Sequence, residues 1–287
     1  MPHASPPTAP TLDSAARIAF IGGGNMASAI LGGLIRGGLP AHQIQVVEPL
    51  PAARDKLAHL HGVAAHAQAG DFLHQADLIV WAVKPQSFAQ AAVPVRPYAG
   101  RALHLSIMAG IRVTGIAAAI AATPEDARIV RAMPNTPALI GQGISGLYAA
   151  PGADAADRAH AEAVIRATGE ALWVAQEPLL DAVTALSGSG PAYVFYVLEA
   201  LQTAGVELGL SAEQARQLAV ATFAGSAALA QQASEPLATL RERVTSKGGT
   251  THAALLALDA AGVQPAFIRA LHAAAVRAKE LGNEFGA

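Results

Sequence analysis

The sequence contains no cysteine in its 287 residues, which excludes a disulfide framework, a thiolate metal site and a cysteine nucleophile. Charged residues are also scarce, at 14%, and nearly balanced, since 19 Lys and Arg stand against 21 Asp and Glu. A net charge of -2 offers no basic surface for a polyanion, so we expect no nucleic-acid partner. The length itself is typical of about two domains with a sizeable core.

Long hydrophobic runs are missing too, although 52% of the residues are hydrophobic. The apolar run Leu78–Val83 has the length of a strand, whereas a membrane-spanning helix needs about 20 residues, so we expect no membrane partner. The amino-terminal segment has four prolines in its first ten residues and lacks the basic and apolar regions of a secretory signal. We therefore predict a disordered tail at residues 1–15 and a cytoplasmic protein.

Short apolar strands alternate with helical segments from Arg17 onward, beginning with Ile18–Ile21 and Ile44–Val47. This alternation predicts an α/β fold with a Rossmann-type, doubly wound parallel sheet over residues 16–175, covered by helices on both faces. Strand-like runs then stop, and five segments with helical periodicity follow. They predict an all-helical domain at residues 176–287.

A glycine-rich turn follows the first predicted strand and opens a helix. Gly22, Gly24 and Ala27 form a G-x-G-x-x-A pattern, in which the glycines permit a tight turn and a close backbone approach to a pyrophosphate. The helix start offers free N–H groups to the phosphates. We expect this loop to bind a dinucleotide through Gly22, Gly23, Gly24, Asn25, Met26 and Ala27.

The end of the second predicted strand carries Glu48, about 20 residues after the glycines. An acidic side chain in this position can accept hydrogen bonds from the adenosine ribose, which favours NAD. Arg54 lies shortly downstream and can reach a 2'-phosphate, which favours NADP, and Glu48 is equally compatible with a solvated loop position. The sequence therefore leaves the choice of cofactor open.

Two further loops follow predicted strands and contain prolines. In a doubly wound sheet, ligands bind outside the carboxyl ends of the strands, so we expect both loops to lie at the nicotinamide end of the cofactor. The alternative is that their prolines only make rigid turns. The candidate residues are Ala82, Val83, Lys84 and Pro85 in the first loop, and Pro134, Asn135 and Thr136 in the second.

A loop rich in hydroxyl groups and glycine, from Ser246 to Thr251, precedes an apolar helical segment in the second domain. Its exposed N–H groups are suited to an anion the size of a carboxylate, and the Thr251 hydroxyl can reach a second polar atom of the same ligand. The alternative is an ordinary Ser/Thr helix cap. The ten histidines include an H-x-H pair, His59 and His61, without the spacing of a metal motif, so we expect no metal site.

Lysine is rare, with four in the chain, and the helix predicted after the glycine–serine loop at residues 187–191 contains none. Enzymes that oxidise an alcohol need a positioned acid or base, often Lys or His, to move the hydroxyl proton. An imine substrate needs less, because its carbon accepts hydride and its nitrogen needs only a hydrogen-bond donor. This scarcity favours an imine reductase over a beta-hydroxyacid dehydrogenase.

Five ordered motifs resemble those of one family, the pyrroline-5-carboxylate reductases of proline biosynthesis. They are FIGGGNM at 20–26, AVKPQ at 82–86, RAMPNTPALIGQG at 131–143, SGSGPAYVF at 187–195 and VTSKGGTTHAAL at 244–255. The resemblance implies reduction of 1-pyrroline-5-carboxylate to L-proline, with NADP as cofactor and NAD as the alternative. It also implies an interlocked homodimer, with a decamer of dimers as a larger assembly.

The resemblance also implies roles for individual residues. Thr251 and Ser246 would be catalytic, and the substrate would contact Gly248, Gly249 and Thr250. Many relatives read S-I-A-A-G where this chain has Met108, so we expect a larger side chain in the nicotinamide pocket. The loop at Glu48 lacks the Asn-Arg or Ser-Arg pair of some relatives, which weakens the implied preference for NADPH.

Two alternative functions remain compatible with the sequence. One is a reductase of another cyclic imino acid or of a beta-hydroxyacid, and the other is a non-catalytic dinucleotide-sensing module. The donor-rich loop at 246–251 argues against mere sensing, because a cofactor sensor needs no second anion site.

The predicted helices after residue 190 are apolar around much of their circumference, which indicates an oligomer.

Overall fold

The computed structural model describes residues 15–285. The predicted disordered tail at residues 1–15 lies outside this range except for its last residue. The chain forms two compact units: one ends at Ser189 and also includes the chain from Ala274 onward, and the other is Gly190–Ala273. The predicted boundary at residue 175 falls before the end of the first unit.

In the part of the chain that the structure describes, eight strands of the first unit form one sheet, in the order β3-β2-β1-β4-β5-β6-β7-β8. Their bounds are β1 (Ile18–Ile21), β2 (Ile44–Val47), β3 (Ala64–His66), β4 (Leu78–Trp81), β5 (Leu103–Ser106), β6 (Ile129–Met133), β7 (Gly143–Ala149) and β8 (Gly169–Trp173). This arrangement confirms the predicted Rossmann-type fold.

One strand pair departs from the predicted parallel sheet, because β6 and β7 pair antiparallel while the other neighbouring pairs are parallel. The connection between them contains only a short 3₁₀ turn, Thr136–Ile140. A parallel connection needs a longer crossover, usually a helix, so this short link allows only an antiparallel return.

Helices cover both faces of the sheet, and β1 shows why. Its four residues are buried, with Ile18 and Phe20 in one hydrophobic cluster and Ala19 and Ile21 in the other. Successive side chains of a strand point to opposite faces, so a strand that is apolar throughout must be covered on both. The helices of this unit are α1 (Asn25–Arg36), α2 (Pro51–His61), α3 (Phe88–Val95), α4 (Val113–Ala119), α5 (Ala155–Arg166) and α6 (Leu179–Val183).

The glycine–serine segment at 187–191 is helical, not the loop that the sequence suggests. A π-helical turn, Thr184–Gly188, continues α6 and is followed by the next helix at Gly190. Hydroxyl groups support the turn, since Thr184 donates to the Leu180 carbonyl and Ser187 to the Val183 carbonyl. A glycine is required at 188 because a Cβ there would lie 2.7 Å from Cε of Met133.

The second unit is helical, as predicted. It contains α7 (Gly190–Glu207), α8 (Ala212–Gln232), α9 (Leu237–Arg243), α10 (Thr250–Ala260) and the beginning of α11 (Val263–Phe285). Ser211 caps α8, as the sequence predicts, by accepting a hydrogen bond from the N–H of Gln214. Small residues let α7 and α8 approach closely, since a Cβ on Gly205 would lie 2.7 Å from that of Ala215.

Large apolar side chains are exposed along the second unit. Tyr196 is 73% exposed and Leu208 is 86% exposed, whereas the buried residues of α8 are two alanines, Ala215 and Ala219. Exposed apolar surface on this scale is typical of an interaction surface. No single helix among residues 15–285 is long and apolar enough to cross a bilayer; α10 and most of α11 reach that length and composition only as a bent pair.

His104, on β5, is a buried histidine. The indole Nε1–H of Trp81 donates to its Nδ1 at 3.0 Å, and its Nε2 is 3.1 Å from the Ala99 carbonyl, so Nε2 carries the proton. Burial lowers the pKa of His104 from 6.5 to about 4, because desolvation disfavours the charged ring more than the hydrogen bond to Ala99 favours it.

The low pKa of His104 predicts that the free energy of unfolding decreases in acid. The unfolded chain binds a proton at His104 below pH 6.5 and the folded chain only near pH 4, so stability decreases as the pH falls through this window. We expect a loss of about 2 kcal/mol between pH 7 and pH 5 from this residue. Urea unfolding at a fixed protein concentration measures it.

The control is His104→Gln, which offers an acceptor and a donor but does not titrate. Its stability should depend less on pH by the same amount. Equal pH dependence in both proteins would show that His104 is not the responsible group.

Candidate active site

The glycine loop between β1 and α1 joins the carboxyl ends of three strands. Gly22 has a φ of +99°, its N–H donates to the Val47 carbonyl at 2.8 Å, and the Ala82 N–H donates to the Ile21 carbonyl at 2.8 Å. A Cβ on Gly22 would lie 2.7 Å from the carbonyl oxygen of Ala82. The loop after β4 and the end of β2 therefore lie directly against this turn, as the sequence predicts for a dinucleotide site.

Gly24 has a different environment, because no described heavy atom lies within 4 Å of where its Cβ would be. It is the N-cap of α1, and no side chain among the described residues caps that end. Ala27 is buried, which lets α1 pack closely on the sheet. The start of α1 thus presents N–H groups toward open space, as a pyrophosphate site requires.

Glu48 lies at the end of β2, and its carboxylate already has two backbone partners. Oε2 accepts the Gly23 N–H at 2.9 Å and Oε1 accepts the Leu50 N–H at 2.9 Å, while the residue is only 8% exposed. Glu48 therefore fastens the glycine loop to β2 and is not the solvated loop residue that the sequence also allowed. Arg54 lies beside it, donating through Nη1 to the carbonyls of Glu48 and Pro49.

The two proline loops differ in how much their side chains are used structurally. Lys84 is exposed after β4, with Pro85 beginning a short 3₁₀ turn. After β6, Pro134 and Asn135 are buried, and the Asn135 amide oxygen accepts the Ile144 N–H at 3.0 Å. Asn135 thus ties its loop to β7, whereas Thr136 is exposed.

Met108, in the loop after β5, is 3% exposed and packs in the hydrophobic cluster that contains Ile21 and Trp81. The structure thus gives Met108 a core position, and its contact with the nicotinamide stays a prediction. The same unit contains a cluster of polar groups that the sequence does not reveal: Glu177 Oε1 accepts both the Val113 N–H at 2.7 Å and Nη1 of Arg131 at 2.8 Å.

This ion pair, in which Arg131 is buried and Glu177 is partly exposed, fixes the start of α4 to β6. Arg131 is buried, and its Nε has no hydrogen-bond partner among residues 15–285. Desolvation lowers the pKa of Arg131, while the hydrogen bond to Glu177 opposes that effect. An arginine within an otherwise apolar strand was the available sequence signal, but nothing in the sequence identified its partner.

In the second unit, residues 246–251 form a turn that leads into α10. Gly248 has a φ of +79°, the Gly249 N–H donates to the Ser246 carbonyl at 3.0 Å, and a Cβ on Gly249 would lie 2.7 Å from the Ser246 hydroxyl oxygen. Gly249 is the N-cap of α10, and among the described residues no side chain caps that helix. Ser246, Thr250 and Thr251 are exposed. The hydroxyls are thus not used as the helix cap that was the alternative interpretation.

Residues 15–285 contain no group of three or more His, Cys, Asp or Glu side chains arranged to hold a metal ion. The polar groups of the two candidate segments are N–H donors at the start of α1, and N–H donors and hydroxyls at the start of α10. Such a set is suited to phosphates and carboxylates.

Comparisons with known proteins agree with this geometry. A family model described as pyrroline-5-carboxylate reductase dimerisation matches residues 177–281, and one described as NADP oxidoreductase, coenzyme F420-dependent, matches residues 17–110. The pyrroline-5-carboxylate reductase of Pseudomonas aeruginosa is 42% identical over 277 residues, which cover 95% of this chain and 99% of that protein. The chain belongs to the pyrroline-5-carboxylate reductase family.

Other members of the family have the same fold. A pyrroline-5-carboxylate reductase structure from Coxiella burnetii has a TM-score of 0.87 at 37% identity, covering 93% of this chain and 98% of that one. The Plasmodium falciparum enzyme, solved with NADP bound, has a TM-score of 0.83 at 26% identity with the same coverage. As a member of this family the chain is an NAD(P)-dependent oxidoreductase, and its dimerisation domain indicates an oligomer.

Gly22 and Gly24, two of the three glycines of the loop, predict different consequences for substitution. Gly22→Ala should destabilise the fold by about 1–3 kcal/mol, because a side chain is strained at this φ and meets a backbone carbonyl. Gly24→Val should keep the fold, since its side chain enters open space, but should abolish dinucleotide binding.

Thermal unfolding and calorimetric titration with NADP⁺ measure both effects, with the wild-type protein as control. A Gly24→Val protein that binds NADP⁺ normally would contradict the assignment of this loop to the pyrophosphate.

Proposed function

We propose that this chain reduces 1-pyrroline-5-carboxylate to L-proline, the last step of proline biosynthesis, by transferring a hydride from NADPH to the imine carbon. Family membership supports the reaction. The observation that carries it is that the chain has both a dinucleotide loop in its first unit and an uncapped helix start rich in hydroxyls in its second unit. The first suits the cofactor and the second suits a small carboxylate substrate.

The cofactor residues act by holding and orienting the dinucleotide. NADPH, when bound, supplies the hydride. The glycine loop holds its pyrophosphate, and the loops after β4, β5 and β6 line the nicotinamide side. The residues assigned to this task are Gly22, Gly23, Gly24, Asn25, Met26, Ala27, Glu48, Ala82, Val83, Lys84, Pro85, Met108, Pro134, Asn135 and Thr136.

The substrate residues act through the turn before α10. The Ser246 hydroxyl and the N–H groups of Thr250 and Thr251 hold the carboxylate. Gly248, with its positive φ, and Gly249, whose N–H donates to the Ser246 carbonyl, shape the turn against which the substrate lies. The Thr251 hydroxyl donates toward the ring nitrogen, directly or through a water, as that nitrogen gains its proton. Catalysis is then mainly positioning of two bound molecules, with a small contribution from proton transfer.

The alternatives make different demands on the site. A beta-hydroxyacid dehydrogenase needs a proton acceptor for its alcohol, yet α7, which follows the glycine–serine segment, contains no lysine. A dinucleotide sensor needs no second anion site.

Purified protein should consume NADPH or NADH when 1-pyrroline-5-carboxylate is added. The decrease in nicotinamide absorbance measures this consumption. Absence of turnover with both cofactors would refute the proposal.

Thr251→Val is expected to lower kcat by about tenfold or more, because it removes the hydroxyl donor but keeps the backbone N–H. The affinity for NADP⁺ should change little. Steady-state kinetics and calorimetry measure the two quantities.

Thr251→Ser provides the matched control, since it retains the hydroxyl and should keep most of the activity. If the valine and serine variants are equally active, the Thr251 hydroxyl is not the donor.

A homodimer is the oligomer that we propose, with a decamer of dimers as a larger form. The exposed apolar side chains of α7, of α8 and of the turn between them support it, since a monomer would leave Tyr196 and Leu208 in water. Small-molecule substrates are the expected ligands, and a cytoplasmic location, expected from the sequence, is part of this proposal.

Native mass spectrometry and light scattering should give a mass of at least two chains at micromolar concentration. Leu208→Lys should weaken assembly if this face is buried between copies, whereas a lysine at an exposed position of the first unit, such as Leu60→Lys, should not. A purely monomeric wild-type protein would contradict the proposal.

A further inference from the structure

The loop after β2 has almost no backbone donor to offer a ligand. Pro49 and Pro51 have no N–H, and the N–H of Leu50 is donated to Oε1 of Glu48 at 2.9 Å. In a Rossmann fold this loop lies where the adenosine ribose of the cofactor binds. Because these three residues leave no N–H free, a 2'-phosphate on that ribose depends here chiefly on a side chain.

Glu48 is poorly suited to discriminate against such a phosphate. Both of its carboxylate oxygens accept backbone N–H groups, and the residue is 8% exposed. These hydrogen bonds offset part of its negative charge and use one acceptor position on each oxygen, and the burial of the residue limits the access of ribose hydroxyls to the positions that remain. The structure thus gives Glu48 a task within the protein, which is to hold the glycine loop against β2.

Arg54 supplies a cation at the same place. Its Nη1 donates to the carbonyls of Glu48 at 2.9 Å and Pro49 at 2.8 Å, which fixes the guanidinium over the end of β2. Its Nε and Nη2 have no hydrogen-bond partner among residues 15–285. A guanidinium held by one nitrogen, with its other edge free, matches the bidentate geometry that a phosphate accepts.

We propose that Arg54 is the residue that selects NADPH, by binding the 2'-phosphate through the free Nε and Nη2 edge of its guanidinium, and that Glu48 is a positioning residue of the glycine loop. This assignment rests on the proposed function only in that the cofactor is a dinucleotide. It implies that this chain prefers NADPH, although the sequence of the loop at Glu48 lacks the residue pair that some relatives have there.

Calorimetric titration of the substrate-free protein with NADP⁺ and NAD⁺ tests the assignment. Arg54→Ala should weaken NADP⁺ binding by about tenfold or more, since a charge-assisted contact is lost, and should change NAD⁺ binding by less than about twofold. Lys56→Ala is the matched control, because it removes one cation from the same helix at an exposed position. It should leave both affinities within about twofold of the wild type.

Two further variants separate a specific contact from a structural effect. Arg54→Lys keeps the charge but cannot both hold the loop and present a fork, so it should recover only part of the NADP⁺ affinity. Arg54→Met keeps the packing of the side chain and replaces the alanine variant if that one unfolds, as judged by thermal melting.

Three results would overturn the assignment. The first is an equal loss of NAD⁺ and NADP⁺ affinity in folded Arg54 variants, which would make Arg54 a loop-shaping residue only. The second is an equal effect of Lys56→Ala, and the third is a wild-type protein that binds NAD⁺ as tightly as NADP⁺. Because no substrate is present, loss of pyrroline-5-carboxylate turnover alone would contradict the proposed reaction and leave the Arg54 result standing.

Discussion

The register of the central strands places the carboxyl ends of β1, β2 and β4 in one row, and the candidate cofactor site depends on it. Ile21 pairs with Val47 on one side and with Trp81 on the other. The next residue, Gly22, continues this ladder to Val47 and turns with a positive φ against the Ala82 carbonyl. Because the Ala82 carbonyl oxygen lies 2.7 Å from where a Cβ of residue 22 would be, the turn forms only where this strand register and a glycine at position 22 coincide.

Much of this arrangement follows from local sequence. The apolar run at Ile18–Ile21 is buried on both faces because its residues alternate between two clusters, and the glycine motif begins where the run ends. The cap at Ser211 was predictable for the same reason, since its partner Gln214 is three residues away. In these cases the residues that interact lie close together in the chain, or repeat with the period of the element.

The features that the sequence did not reveal depend on distant partners. Glu48 looked like a free ribose acceptor because its partner Gly23 lies 25 residues earlier, and the Arg131–Glu177 pair spans 46 residues. The π-helical turn at Thr184–Gly188 was mistaken for a loop, because glycine and serine usually interrupt helices, whereas here Gly188 provides room for Met133. Such details arise from packing that neither propensity nor periodicity encodes.

The scarcity of charged residues and the abundance of small residues are physically related. Small side chains allow the close approach of α7 and α8 at Gly205 and Ala215, and the packing of α1 against the end of α5 at Gly33 and Ala167. A chain packed in this way has few places for charge, so an interior charged group needs compensating partners. Glu48 and Arg131 have them, in backbone N–H groups and in Glu177 respectively.

Charged side chains, two of them only partly buried, also connect strands of the first unit to the loops and helix starts beside them. Glu48 joins β2 to the glycine loop, Arg54 joins the loop after β2 to the start of α2, and Glu177 joins β6 to the start of α4. A hydrophobic contact would tolerate small displacements there, but hydrogen bonds of fixed direction do not. In a chain with 14% charged residues, these few charged side chains therefore set the geometry of the loops, while the apolar majority supplies the stability of the fold that holds them.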